Sequence, residues 1–145
     1  MNIYTIGFTK KSAEQFFEKL RDAKVRRVID IRLNNVSQLS GFAKRDDLAY
    51  FLRTICNIDY VHMPLMAPTQ TMLDNYKKSG GMWETYATAY NALMGERNIS
   101  RTLNSDLVDG SCFLCSEAEP EFCHRRLLAD ILQREYPTLR IQHLI

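Results

Sequence analysis

Five short runs of apolar, largely β-branched or aromatic residues recur along the chain, and apolar residues at helical spacing fill most of the stretches between them. Ile3-Tyr4-Thr5-Ile6 is closed by Gly7, and Val28-Ile29-Asp30-Ile31 ends at Arg32. Ile58-Asp59-Tyr60-Val61-His62 is stopped by Pro64, and Ser111 to Cys115 and Leu139 to Leu144 complete the set. Each has the length and composition of a strand. After the first run, Ser12-Ala13-Glu14-Gln15 has the S-x-x-Q form of a capping box, and Phe16, Phe17, Leu20 and Ala23 continue it as a helix. Leu48, Phe51, Leu52 and Ile55 mark a second helix, opened by Asp46 and Asp47, whose charges suit an N-terminus. A helix is expected over about 71–78. Trp83, Tyr86, Ala87, Tyr90 and Met94 form a clear helical stripe, and Leu127, Leu128, Ile131 and Leu132 form a last one that ends at Tyr136-Pro137. Strands alternating with helices imply βαβ crossovers. Near-continuous apolar strands imply burial on both faces. The expected fold is a single three-layer α/β domain over residues 1–145, with a mostly parallel sheet covered by helices on both faces.

Composition narrows the class. The 145 residues, 46% hydrophobic and 25% charged, make one domain with a sizeable core. No stretch approaches the roughly 20 apolar residues of a membrane span. Met1-Asn2-Ile3-Tyr4 runs straight into strand-like sequence rather than a secretory signal, so a cytoplasmic location is expected. The 19 basic and 17 acidic side chains leave too little net charge to argue for nucleic acid by itself. In a reducing cytosol Cys56, Cys112, Cys115 and Cys123 are expected to be free thiols rather than a disulfide framework, with Cys56 a small buried hydrophobe.

In open parallel sheets ligands bind outside the carboxyl ends of the strands. Those ends here carry Gly7-Phe8-Thr9-Lys10, Asp30-Ile31-Arg32, Tyr60-Val61-His62 and Cys115-Ser116-Glu117. If the strands are parallel, these groups share one rim. Asp30 and Arg32 suit either a functional pair or a structural ion pair, and function is favoured. His62 is expected to hydrogen-bond a turn. Gly7 is expected to serve a tight turn rather than a phosphate.

The segment from Cys115 to Arg126 is the most informative. Pro120 suits the first turn of the final helix, which puts Cys123 and His124 near its start. A thiol near a helix N-terminus and basic groups gains thiolate character. Arg125 and Arg126 are cations where the helix dipole favours anions, an arrangement that neighbouring Glu117, Glu119 and Glu121 or an anionic ligand would offset. A zinc site built from Cys112, Cys115, Cys123 and His124 ranks below these readings, because Cys112 and Cys115 point to opposite faces of a strand and Cys123 and His124 diverge on a helix. No metal and no cofactor is expected.

Tyr4-Thr5-Ile6-Gly7, Asp30-Ile31-Arg32, Tyr60-Val61-His62-Met63-Pro64, and Leu114-Cys115-Ser116-Glu117 followed by Cys123-His124-Arg125 together resemble the domain-of-unknown-function 488 family. The likeness runs nearly end to end. The family's usual His-Ser after the glycine is Phe8-Thr9 here, so a histidine is missing and Thr9 stands in for the hydroxyl. Leu33-Asn34-Asn35 after Arg32 also departs from the common pattern. The resemblance implies a compact α/β domain and favours Cys115, Glu117, Cys123, His124 and Arg125, with Gly7, Asp30 and Arg32, as the site. It supplies no reaction.

Three functions are open. The first is an enzyme acting on an anionic, phosphate-bearing or nucleotide-like substrate. Cys123, Glu117 and His124 would be catalytic, and Gly7, Thr9, Asp30, Arg32, Cys115 and Arg125 would bind, the two arginines clamping the anion. A rhodanese-like sulfur transfer is a minor variant of it. The second is a nucleic-acid-binding module using Lys10-Lys11, Arg26-Arg27, Lys44-Arg45, Lys77-Lys78 and Arg125-Arg126, with Tyr50, Tyr76, Trp83 and Tyr86 to stack bases. The third is a non-catalytic binding or scaffold protein in which Glu117 pairs with Arg125, Cys123 packs, and function lies between Pro64 and Gly81. The oligomeric state is left open.

Overall fold

A computed structural model describes residues 1–36, 41–78 and 80–145; residue 79, inside the Pro64 to Gly81 stretch, lies outside the described residues. Five strands, β1 (Asn2–Gly7), β2 (Arg27–Asp30), β3 (Asp59–His62), β4 (Ser111–Cys115) and β5 (Arg140–Leu144), form one sheet in the order β3-β2-β4-β1-β5. Every pairing is parallel. Between the strands lie α1 (Ala13–Asp22), α2 (Arg45–Phe51), α3 (Gln70–Lys78), α4 (Trp83–Glu96), α5 (Ile99–Thr102), α6 (Ser105–Val108) and α7 (His124–Glu135). The chain is a single α/β domain of the expected class. The five strand runs and the five helical stripes all become elements. Helices α5 and α6 are new, because at four residues each they are too short to show a period.

Alternation along the strands sends side chains into two cores. On one face Ile3, Ile29, Ile31 and Phe113 pack against Tyr90 and Met94 of α4 and Leu128 and Leu132 of α7. On the other, Ile6, Val28, Cys112 and Leu114 meet Phe16, Phe17 and Leu20 of α1 and Leu48 of α2. The second helical stripe departs from expectation at one point. α2 continues as a wide π turn over Leu52–Cys56, which closes on Asn57 in the left-handed conformation (φ 54°). The extra residue in that turn rotates the apolar face, so Ile55 is 54% exposed and Cys56 is only half-buried, correcting the reading of Cys56 as a buried hydrophobe. Pro120 likewise sits outside α7, in a turn whose carbonyl accepts from the Cys123 amide at 3.2 Å, and Cys123 is the N-cap.

The topology creates one reversal. From β1 the chain crosses β4 to reach β2, and from β4 it crosses β1 to reach β5. The helices that make these crossings, α1 and α7, pack on opposite faces. Loops leaving neighbouring strands β1 and β4 therefore part company at their carboxyl ends, which is where open α/β sheets leave a crevice. Gly7 and Cys115 are register partners at that point.

α1 is held by the full capping box: the Gln15 amide donates to the Ser12 hydroxyl at 3.1 Å, and the Ser12 amide donates to Gln15 Oε1 at 3.0 Å. Ser12→Ala should lower stability by about 1 kcal/mol, measured as a shift in the urea midpoint at unchanged m-value. No shift would mean that α1 is fixed by its packing alone.

Candidate functional site

The crevice between β1 and β4 is filled from within. Arg125, in the first turn of α7, is completely buried. Its Nε donates to Thr5 Oγ1 at 3.2 Å, its Nη1 to Cys115 Sγ at 3.4 Å and to the Glu117 carbonyl, and its Nη2 to the Ala118 carbonyl at 3.2 Å. The loop after β4 is thereby drawn over the end of β1. The Thr9 amide and hydroxyl both donate to the Ser116 carbonyl, at 3.1 and 2.6 Å. This explains Gly7. A Cβ there would overlap the Glu117 carbonyl and the Arg125 guanidinium, so the glycine serves close approach of the backbone rather than the tight turn expected of it.

Arg125 pairs with the backbone of Glu117 and not with its carboxylate. Among the described residues no ion pair joins this guanidinium to an acid. Burial lowers its pKa to about 10, against the attraction of Cys112, Glu117 and Glu119. Carbonyl dipoles and a sulfur atom do the neutralising, which is an unusual environment for a buried charge.

Cys115 and Cys123 are joined as a disulfide across the loop. The expectation of four free thiols is corrected: only Cys56 and Cys112 are free. The end of β4 and the N-cap of α7 converge on one spot, and sequence separation does not reveal that. Next to the bond, His124 Nε2 lies 2.9 Å from the Ile31 carbonyl, and its Nδ1 lies 4.0 Å from Cys123 Sγ. A carbonyl oxygen only accepts, so Nε2 carries the hydrogen and Nδ1 presents a lone pair to the sulfur. Burial pushes His124 down to about 4, only partly opposed by the Ile31 carbonyl, so the ring is neutral at pH 7.

Asp30 and Arg32 form a second cluster on the opposite side of the sheet. Arg32 donates to Asp30 through Nε and Nη2, each at 2.9 Å, and through its amide at 3.1 Å. Tyr60 donates to Asp30 Oδ2 at 2.5 Å, and Asn35 Nδ2 lies 3.4 Å from the same oxygen. Burial works against the Asp30 carboxylate, but the Arg32 hydrogen bonds and charge, with the Tyr60 hydroxyl, bring its pKa below the ordinary value. Burial and the Asp30 carboxylate in turn push Tyr60 well up, so it stays a donor. Arg32 also lies over the Phe8 ring, 5.4 Å from its centre. Phe8 is therefore a buried aromatic ring under a guanidinium. His62 Nε2 lies 2.9 Å from the Arg32 carbonyl and fastens the loop after β2, as expected of it. Arg32 Nη1 is the one buried side-chain nitrogen or oxygen without a partner among the described residues.

The shared rim is real but two-sided. Cys115, Glu117, Cys123 and His124 border one cavity of about 310 Å³, walled by Tyr76, Tyr86 and Phe122 with Lys77 beside them. Asp30, Arg32 and Phe8 lie behind the sheet from it, and Thr9 lines a different, lysine-rich depression with Lys10 and Lys11. The basic pairs are dispersed too. Arg26 and Arg27, at the opposite end of β2, donate to the Asp106 and Leu107 carbonyls, and Arg126 stacks on Trp83 at 5.5 Å. Sequence reading missed Thr5, Asn35, Phe122 and the structural use of Tyr60. Thr5 carried a usable signal, as a polar residue inside an apolar strand.

No group of three or more His, Cys, Asp or Glu side chains among the described residues is arranged to hold a metal ion. No helix among them is long and apolar enough to cross a membrane. The fold and site define a parallel α/β domain with a cysteine–histidine–arginine cluster at the carboxyl ends of its strands. The chain belongs to the family described as domain of unknown function DUF488, whose family model matches residues 12–132. No curated protein and no solved structure matches it.

Two outcomes follow from this geometry. Gly7→Ala should cost about 1–3 kcal/mol through overpacking at the loop crossing, read from denaturant unfolding; a neutral substitution would show the crossing to be loose. His124 has a folded pKa below its ordinary 6.5. Its contribution to stability is therefore complete above about 6.5 and is lost as pH falls towards 4, where the unfolded chain binds the extra proton. Comparing unfolding free energies of wild type and His124→Gln across that window should show a shallower pH slope in the variant.

Proposed function

We propose that the chain is an enzyme acting on an anionic, phosphate-bearing or nucleotide-like molecule in the cavity beside Cys123. The observation that carries this reading is the orientation of His124. Its Nε2–H is committed to the Ile31 carbonyl, and its free Nδ1 faces Cys123 Sγ at 4.0 Å on the border of that cavity. Nucleophile, base and orienting group then stand in sequence, as nucleophilic catalysis requires. In the reduced protein the Cys123 proton passes to His124 Nδ1 as the sulfur attacks the electrophilic centre, and the leaving group takes its proton from His124 or Glu117. Tyr76, Tyr86 and Phe122 suit a planar ring, and Lys77 suits negative charge. Arg125 adds positive charge from beneath without touching the substrate, because its donors are engaged by the loop. Arg32 is separated from this cavity by the sheet, so the anion clamp of two arginines is replaced by Lys77 with Arg125 behind it.

The test is a ligand-dependent thermal stabilisation screen of the reduced protein with nucleoside mono- and diphosphates and simple phosphate monoesters, followed by turnover assays on the hits. Binding should survive Cys123→Ser while turnover falls at least a hundredfold, and Lys77→Ala should weaken binding about tenfold. Turnover that is unchanged in Cys123→Ser would overturn the assignment.

A further inference from the structure

Among the described residues that hydrogen-bond Arg125, the Cys115 sulfur alone changes charge when the disulfide opens. We propose that Cys115 and Cys123 are a redox-active pair that exchanges two electrons with a small anionic thiol, Cys123 being the sulfur attacked and Cys115 the sulfur that leaves. This goes beyond the nucleophile reading and does not need it, since the exchange concerns the oxidation state of the pair rather than turnover of a substrate.

Three features carry it. Arg125 is fully buried, lacks a carboxylate partner among the described residues, and has Nη1 3.4 Å from Cys115 Sγ. A negative charge on that sulfur completes an ion pair that the oxidised form lacks, and in a desolvated site this favours thiolate strongly over thiol. The sulfur whose thiolate is better stabilised is the better leaving group in disulfide exchange. Second, Cys123 faces a neutral imidazole instead of a cation, so it gains no comparable stabilisation as a leaving thiolate. Third, both cysteines line the 310 Å³ cavity, where Lys77 offers a contact for an anionic group on an incoming thiol. The other two cysteines neither hydrogen-bond Arg125 nor line this cavity. Cys112 is fully buried in the opposite core, Cys56 lies 3.7 Å from the Phe17 carbonyl, and burial pushes both thiols up.

The exchange balances as follows. A thiolate RS⁻ attacks Cys123 Sγ, forming the mixed disulfide Cys123–S–S–R. The Cys115–Cys123 bond breaks and its electron pair goes to Cys115, held as thiolate against Arg125. A second RS⁻ attacks the R sulfur of the mixed disulfide, RSSR departs, and Cys123 leaves as thiolate and takes a proton from water. Two thiols are oxidised to one disulfide while the protein disulfide is reduced to a dithiol.

The test uses the purified chain equilibrated in buffers of varied ratio of reduced to oxidised glutathione, acid-quenched, alkylated after denaturation, and mapped by peptide mass. Cys115 and Cys123 should pass together from alkylated to protected in one two-electron transition, while Cys56 and Cys112 remain alkylated throughout. In Cys115→Ser, glutathione should be trapped as a mixed disulfide on Cys123. In Cys123→Ser, glutathionylation of Cys115 should be at least tenfold less. Independent one-electron-pair titration of the two cysteines in the wild type, or preferential trapping on Cys115, would overturn the proposal. The wild-type titration decides even where a variant fails to fold. A successful titration without any dependence of turnover on Cys123 would sink only the nucleophile reading, and the converse would sink only this one.

Discussion

A single buried guanidinium holds the carboxyl ends of β1 and β4 together. Arg125 joins the middle of β1 through Thr5, the end of β4 through Cys115, and the following loop through the Glu117 and Ala118 carbonyls. Desolvating a charge is expensive unless its hydrogen bonds are made, so each partner must be in place for the others to be tolerated. Gly7 has no side chain because the loop that serves Arg125 passes where a Cβ would be. Thr9 holds the same loop at Ser116. The rest of the site inherits its position from this arrangement, since α7 begins one residue before Arg125 and brings Cys123 and His124 with it.

The reversal of strand order makes that arrangement possible and also limits it. Adjacent strands β1 and β4 send their helices to opposite faces, which opens space at their ends. In this chain the space is occupied by protein rather than left for a ligand, and the cavity lies to one side of it, between the loop, α7, α3 and α4. The Asp30, Arg32 and Tyr60 network belongs to the other face. Its carboxylate is satisfied from three directions, which fits a structural anchor for the loop after β2. The ring of Phe8 covers it and is itself part of the core.

His124 links the two faces. Its Nε2–H reaches the Ile31 carbonyl, between Asp30 and Arg32, while Nδ1 turns to the sulfur on the far side. Burial keeps the ring neutral, so it receives protons rather than repelling cations such as Arg125 beside it. The Cys115–Cys123 bond lies between this imidazole and the Arg125 guanidinium, whose charge no carboxylate among the described residues matches.

The strands, the long helices, the capping box at Ser12 and the parallel α/β class were all legible in the sequence, because apolar periodicity and local capping chemistry act between residues close in the chain. So was the concentration of chemistry at Asp30-Ile31-Arg32 and from Cys115 to Arg125. Contacts made across the sheet were not legible. Nothing in the spacing shows that Cys115 meets Cys123, that Arg125 seeks Thr5 and carbonyl oxygens instead of Glu117, or that Arg32 lies behind the sheet from Cys123. Those outcomes depend on strand order and on which face each crossover takes. The π turn at Leu52–Cys56 shows the same limit locally, since one added residue per turn turned Ile55 outward without disturbing the pattern that predicted it inside. Residue types determined which chemistry was present; the packing of β1 against β4 decided which groups meet.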